Sequence, residues 1–149
     1  MEESVEDPYD LERFVTAQDL GGTYRRALAE LRQGSKRSHW MWFVFPQLAG
    51  LGHSATARRY ALSSLDEARA YLRHPVLGPR LLESAAAVSG LAGRTAGQIF
   101  GSTDEKKLRS SITLFLRADP EEPAFRRLLD QYFEGLPDTA TDELLEGKA

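Results

Sequence analysis

Between one Gly or Pro break and the next, the apolar residues of this chain recur at helical spacing. Nowhere do they alternate with polar residues over the length of a strand. Leu11, Phe14 and Val15 share one face before the Gly21-Gly22 pair, and Tyr24, Ala27, Leu28 and Leu31 share another before Gly34. Leu65, Ala68 and Leu72 run up to Pro75, and Leu81, Leu82, Ala85 and Val88 run up to Gly90. Leu108, Ile112, Phe115 and Leu116 form a longer stripe, and Phe125 to Phe133 follow Pro123 as a last one. Start signals agree with these runs. Asp10, Thr23 and Ser54 are placed to cap, and Ser64/Glu67, Thr95/Gln98 and Ser102/Glu105 have capping-box spacing. The pattern predicts an all-α, compact single-domain bundle of about seven to eight short-to-medium helices. The domain is expected over 9–136, between a flexible acidic N-terminus (1–8) and a flexible acidic C-terminal tail (137–149).

At 149 residues, 42% of them hydrophobic, the chain can bury a core. A net charge of −3 argues against a general nucleic-acid binder, although Lys36-Arg37 and Arg58-Arg59 are local basic pairs. The absence of cysteine removes disulfides, thiolate catalysis and cysteine-ligated zinc together. Residues 1–7 are acidic and lack the apolar segment of a secretory signal. The longest apolar run, Trp40 to Phe45, is far short of the ~20 residues of a membrane span. The expectation is a cytoplasmic protein without membrane partners. The oligomeric state is left open.

Chemistry concentrates in residues 36–52, where Trp40, Trp42, Phe43 and Phe45 lie between Lys36, Ser38 and His39 on one side and Gln47 on the other. Rigid aromatic walls beside cationic and hydrogen-bonding groups are what a pocket for a flat or anionic ligand needs. The same rings also serve as core, since burying each contributes a few kcal/mol (about 1.5–3). On the helix from about 103, Asp104, Lys107 and Ser111 fall on one stripe bordering the apolar face. There a partly desolvated carboxylate and ammonium act on a ligand more strongly than in water; the alternative is a solvated i, i+3 pair worth tenths of a kcal/mol (about 0.2–0.5). His39 is a candidate acid or base, or a hydrogen-bonded core residue. His74, at a helix C-terminus, reads as a capping group. Arg80, at a helix start after Gly78-Pro79, is a candidate clamp for phosphate or carboxylate. No metal or cofactor is expected: the histidines lack ligand spacing, and Gly50-Leu51-Gly52 is not a dinucleotide fingerprint.

Several stretches in order resemble the family of domain of unknown function 1810, whose members sometimes carry the label calpastatin. They are Asp10-Leu11-Glu12-Arg13-Phe14 with Gln18, Lys36 to Phe43, Phe45-Pro46-Gln47 with Gly50-Leu51-Gly52, Ala70 to Gly78, and Ile99-Phe100-Gly101 with Asp104, Lys107 and Ser110 to Phe115. The resemblance covers about residues 8–118, with Ile112 a minor departure where Met or another apolar residue is expected. It implies an all-helical fold and no agreed activity. A disordered inhibitor such as calpastatin does not fit capped, amphipathic helices.

Taken together, these residues predict a pocket for a small anionic or nucleotide-like ligand. Lys36, Ser38, Trp40, Trp42, Gln47, Arg80, Lys107 and Ser111 are the binding candidates, and Asp104 and His39 the catalytic ones. A hydrolase or glycosidase-type reaction is one outcome. A non-catalytic interaction module, with the aromatic stretch as core, is the alternative.

Overall fold

A computed structural model describes residues 6–147. Its helices are α1 (Glu12–Asp19), α2 (Thr23–Gln33), α3 (Met41–Val44), α4 (Ala55–Arg59), α5 (Leu65–Arg73), α6 (Leu77–Ser89), α7 (Ala96–Phe100), α8 (Ser102–Ala118), α9 (Pro123–Phe133) and α10 (Thr139–Leu145), with a 3-10 turn over Leu20–Gly22. The architecture is all-α. Strand geometry is confined, among the described residues, to an isolated bridge between Leu48 and Leu62. That bridge closes the long loop after α3 with Leu62 N–H to Gln47 O (2.9 Å) and Ala49 N–H to Leu62 O (2.8 Å).

α8 is the central element and packs against α5, α7, α9 and α10, while α6 joins α2, α5 and α9. A row of rings runs through the core. Phe14 meets Tyr71 edge-on at 5.2 Å, Tyr71 meets Phe115 at 5.4 Å, and Phe115 stacks on Phe125 at 5.7 Å. Offset and edge contacts of this kind add about 0.5–1.5 kcal/mol each beyond the burial of the rings. The α5–α6 corner is tight: a Cβ on Gly78 would lie 2.1 Å from the Leu72 carbonyl oxygen, so only glycine fits.

The caps follow the expected chemistry at some helices and not at others. Ser54 and Ser64 accept from Ala57 N–H and Glu67 N–H, and Thr95 with Gln98 completes a capping box. Asp10 is no cap; it sits at φ 52°, and Asp7 takes the Leu11 and Glu12 N–H groups instead. Thr23 is the first residue of α2, not its cap, and its hydroxyl donates to Leu20 O. His74 caps, but forwards: its Nδ1 accepts from Val76 N–H (3.1 Å) and Leu77 N–H (3.2 Å) at the start of α6.

The expected flexible tail over 137–149 is corrected for most of its length. Asp138 accepts from Thr141 N–H and caps α10, while Arg117 makes a two-bonded ion pair with Asp142 (2.9 Å twice). The segment is polar because it folds onto the polar flank of α8, so composition alone hid it. Residues 148 and 149, and residues 1–5 of the expected N-terminal segment, lie outside the described residues.

Candidate functional site

The start of α8, the end of α7, the loop before α3 and α3 itself enclose a cavity of about 370 Å³. Its polar wall carries Lys36, His39, Asp104 and Lys107, and Trp42 and Met41 supply its apolar wall. The Asp104 carboxylate is shared: Oδ2 is 2.9 Å from Lys36 Nζ and Oδ1 is 3.5 Å from Lys107 Nζ. Lys36 also donates to Ser38 O (2.5 Å) and lies 4.9 Å from the Trp40 ring. Lys107 lies 5.0 Å from the Trp42 ring, a cation–π distance. Two ammoniums on one carboxylate leave a positive balance in a partly desolvated place, where charges act strongly.

The first turn of α8 adds to that balance. Gly101, at φ 85°, is its N-cap and offers no side chain, so the Ser102/Glu105 capping box expected from spacing does not form. Ser102 is displaced into the helix, and among the described residues nothing accepts the N–H groups of Ser102, Thr103 or Asp104. Unpaired N–H groups at the positive end of a helix favour an anion.

Glu30 on α2 is the residue that sequence reading missed. Its carboxylate accepts from Arg37 N–H (2.8 Å), Ser38 N–H (3.0 Å), Ser38 Oγ (2.6 Å) and Trp40 Nε1 (2.9 Å), fixing the segment that carries Lys36 and His39. Burial pushes this carboxyl up, but those four donors outweigh it and hold the pKa at about 2. A lone glutamate in an amphipathic helix carries no sequence signal for this role.

The structure therefore divides the candidates. Lys36, His39, Trp42, Asp104 and Lys107 converge on the cavity. Ser38 stands behind it, with its hydroxyl given to Glu30. Trp40 is 0% exposed, so it is core and not a ligand wall. Gln47 belongs to the loop closed by Leu62, and its backbone makes that closure. Ser111 is fully buried one turn beyond Lys107, and its Oγ finds no partner among the described residues. Arg80 lies elsewhere. On α6 it pairs with Asp19 (2.8 Å) and donates to Gln18 Oε1 (3.2 Å) beside a separate groove. Its place at a helix start, read from Gly78-Pro79, is right to within a turn, but on that helix Arg80 lines a groove with residues of α1 and α2 and not the cavity at the start of α8. Among the described residues no group of three or more His, Asp or Glu is placed to hold a metal ion, and no helix is long and apolar enough to cross a membrane.

No curated protein matches the chain. Among solved structures, the conserved hypothetical protein Rv1873 from Mycobacterium tuberculosis is similar, at 53% identity and a TM-score of 0.91 over 94% of this chain and 99% of that one. The family model described as "Protein of unknown function (DUF1810)" matches residues 8–145, so the shared pattern runs through α9 and α10, beyond the 8–118 covered by the resemblance of the motifs. With the match spanning nearly the whole helical domain, this chain belongs to the DUF1810 family of proteins of unknown function.

Proposed function

We propose that the cavity at the start of α8 binds a small anionic ligand with a flat ring, of the nucleotide type. The observation that carries this reading is the convergence of Lys36, Asp104, Lys107 and Trp42, from segments far apart in the chain, on one cavity of about 370 Å³. In it the anionic group meets Lys107 and the unpaired N–H groups of Ser102 and Thr103, and the ring lies along Trp42. Asp104 holds the two ammoniums in place and acts as a positioning residue. Were the ligand also hydrolysed, His39, exposed at the rim and outside the ion pairs, is the cavity's group for moving a proton. A glycosidase working with two carboxylates has less support, because Asp104 is the one carboxylate lining the cavity among the described residues.

Thermal-shift and calorimetric titration with AMP, inorganic phosphate and adenosine tests the reading. AMP is expected to raise Tm saturably, and Lys107→Ala to weaken it by about tenfold, the equivalent of 1.4 kcal/mol. Lys36→Ala would also disturb the fold, so Lys107→Ala and Trp42→Ala are the diagnostic pair. If AMP binds no better than phosphate and adenosine, or if neither variant alters it, the reading fails.

A further inference from the structure

Arg80 opens a second place for a ligand, away from α8. The C-terminal end of α1, the 3-10 turn, the first half of α2 and the face of α6 enclose a groove of about 610 Å³. Arg80 and Glu83 stand i, i+3 on α6, one helical turn apart, and both line it. Residues so spaced have Cβ atoms about 5–6 Å apart, and oppositely charged ones ordinarily pair. These two do not, because each is held by another partner. Arg80 Nη2 is 2.8 Å from Asp19 Oδ1, Nη1 donates to Gln18 Oε1 at 3.2 Å, and the guanidinium lies 4.9 Å from the Tyr24 ring. Glu83 accepts a hydrogen bond from the Tyr24 hydroxyl, whose pKa burial and that carboxylate both push up.

Orienting Arg80 uses a buried group. Gln18 is 1% exposed, and its Nε2 is fixed by Phe43 O (2.7 Å) and Tyr71 OH (3.3 Å), so its oxygen can only face the guanidinium. Two of the five guanidinium N–H groups are thereby used, and the remainder form a donor set suited to a carboxylate. Arg25, in a first turn of α2 that carries no acid, adds a second cation to the same wall. At the other end Glu83 presents a carboxylate, and Leu28 and the Tyr24 ring give an apolar floor between.

From this separation we infer that the groove binds a small zwitterion, a free α-amino acid or a dipeptide. The ligand's carboxylate meets Arg80 and Arg25, its ammonium meets Glu83, and its side chain rests on Leu28 and Tyr24. With Arg80 already balanced by Asp19, the charges left over in the groove are the Arg25 cation at one end and the Glu83 carboxylate at the other. A plain anion would leave Glu83 without a cation and a plain cation would leave Arg25 without an anion, whereas a molecule carrying both charges satisfies both ends.

Calorimetric titration of the intact chain with the proteinogenic L-α-amino acids and their glycyl dipeptides is the test, each ligand that binds being repeated as its N-acetyl and methyl-ester forms. At least one ligand is expected to bind saturably in the millimolar range or tighter, and blocking either charge to weaken it about tenfold, as losing one charged hydrogen bond implies. Arg80→Lys, which keeps the charge but not the planar fork, and Glu83→Gln are each expected to weaken it similarly, while Arg126→Ala, at an exposed position of α9, leaves it unchanged. Circular dichroism and Tm of both variants establish that they fold. No saturable binding by any of these ligands, or binding indifferent to blocked charges or to both substitutions, overturns the inference. AMP binding at α8 stands or falls apart from it.

Discussion

Trp40 Nε1 donates to the Glu30 carboxylate a hydrogen bond that serves both the core and the cavity's rim. Because the folded carboxyl sits at about 2 against an ordinary 4.5, the charged form is the one the fold prefers. Its contribution, on the order of 3 kcal/mol, is therefore complete above pH 4.5 and drains away as pH falls from there toward 2. Urea unfolding followed across that window is expected to show this slope, and Glu30→Gln to flatten it. A variant that retains the full slope would assign the effect to another carboxylate. Trp40→Phe keeps most of the buried ring but leaves the carboxylate short of a donor, and is expected to cost about 1.5–3 kcal/mol. Whether an aromatic in this stretch is wall or core was not legible: Trp40 and Trp42 are two residues apart, and only the turn of α3 sends one inward and leaves the other at the cavity.

Helices with an apolar stripe and a local stop were legible, since periodicity and glycine or proline act within a few residues. The α2, α5, α6, α8 and α9 spans all follow from such signals. Caps were less so, because the N–H groups at a helix start accept any nearby oxygen, as Asp7 does for α1. α10 was illegible for a different reason: beyond the local Asp138 cap, its support comes from α8. Asp138 Oδ2 takes Ser110 Oγ, Thr141 N–H and Thr141 Oγ1, and Asp138 N–H goes to Thr113 Oγ1. Asp138→Ala is expected to cost about 1–2 kcal/mol and to speed amide exchange over Thr139–Leu145 selectively. Unchanged exchange there would mean that the Arg117–Asp142 pair suffices. At the α5–α6 corner, Gly78→Ala forces a Cβ into a backbone carbonyl that cannot yield, and a loss of about 3 kcal/mol or more in a denaturant titration is expected.

Across the whole molecule, the Lys36–Asp104 pair ties the loop after α2 to α8, with side chains 8% and 17% exposed. Removing one partner of such a pair strands the other charge. Asp104→Asn is therefore expected to cost about 3 kcal/mol, and Lys36→Met with Asp104→Leu together less than either change alone. The exposed Arg69–Asp66 pair, by contrast, should matter by less than about 0.5 kcal/mol, and a double-mutant cycle on each pair checks the difference. Sequence reading named five of the residues that line the cavity but also joined Arg80 to them. Spacing orders side chains along a single helix, and which helices meet is decided by packing that no local pattern records. The unequal burial of the two indoles has a practical sequel. Trp40 is sealed in the core whereas Trp42 lines the cavity, so filling the cavity is expected to change the intrinsic emission of the unlabelled chain, and Trp42→Phe to remove most of that change.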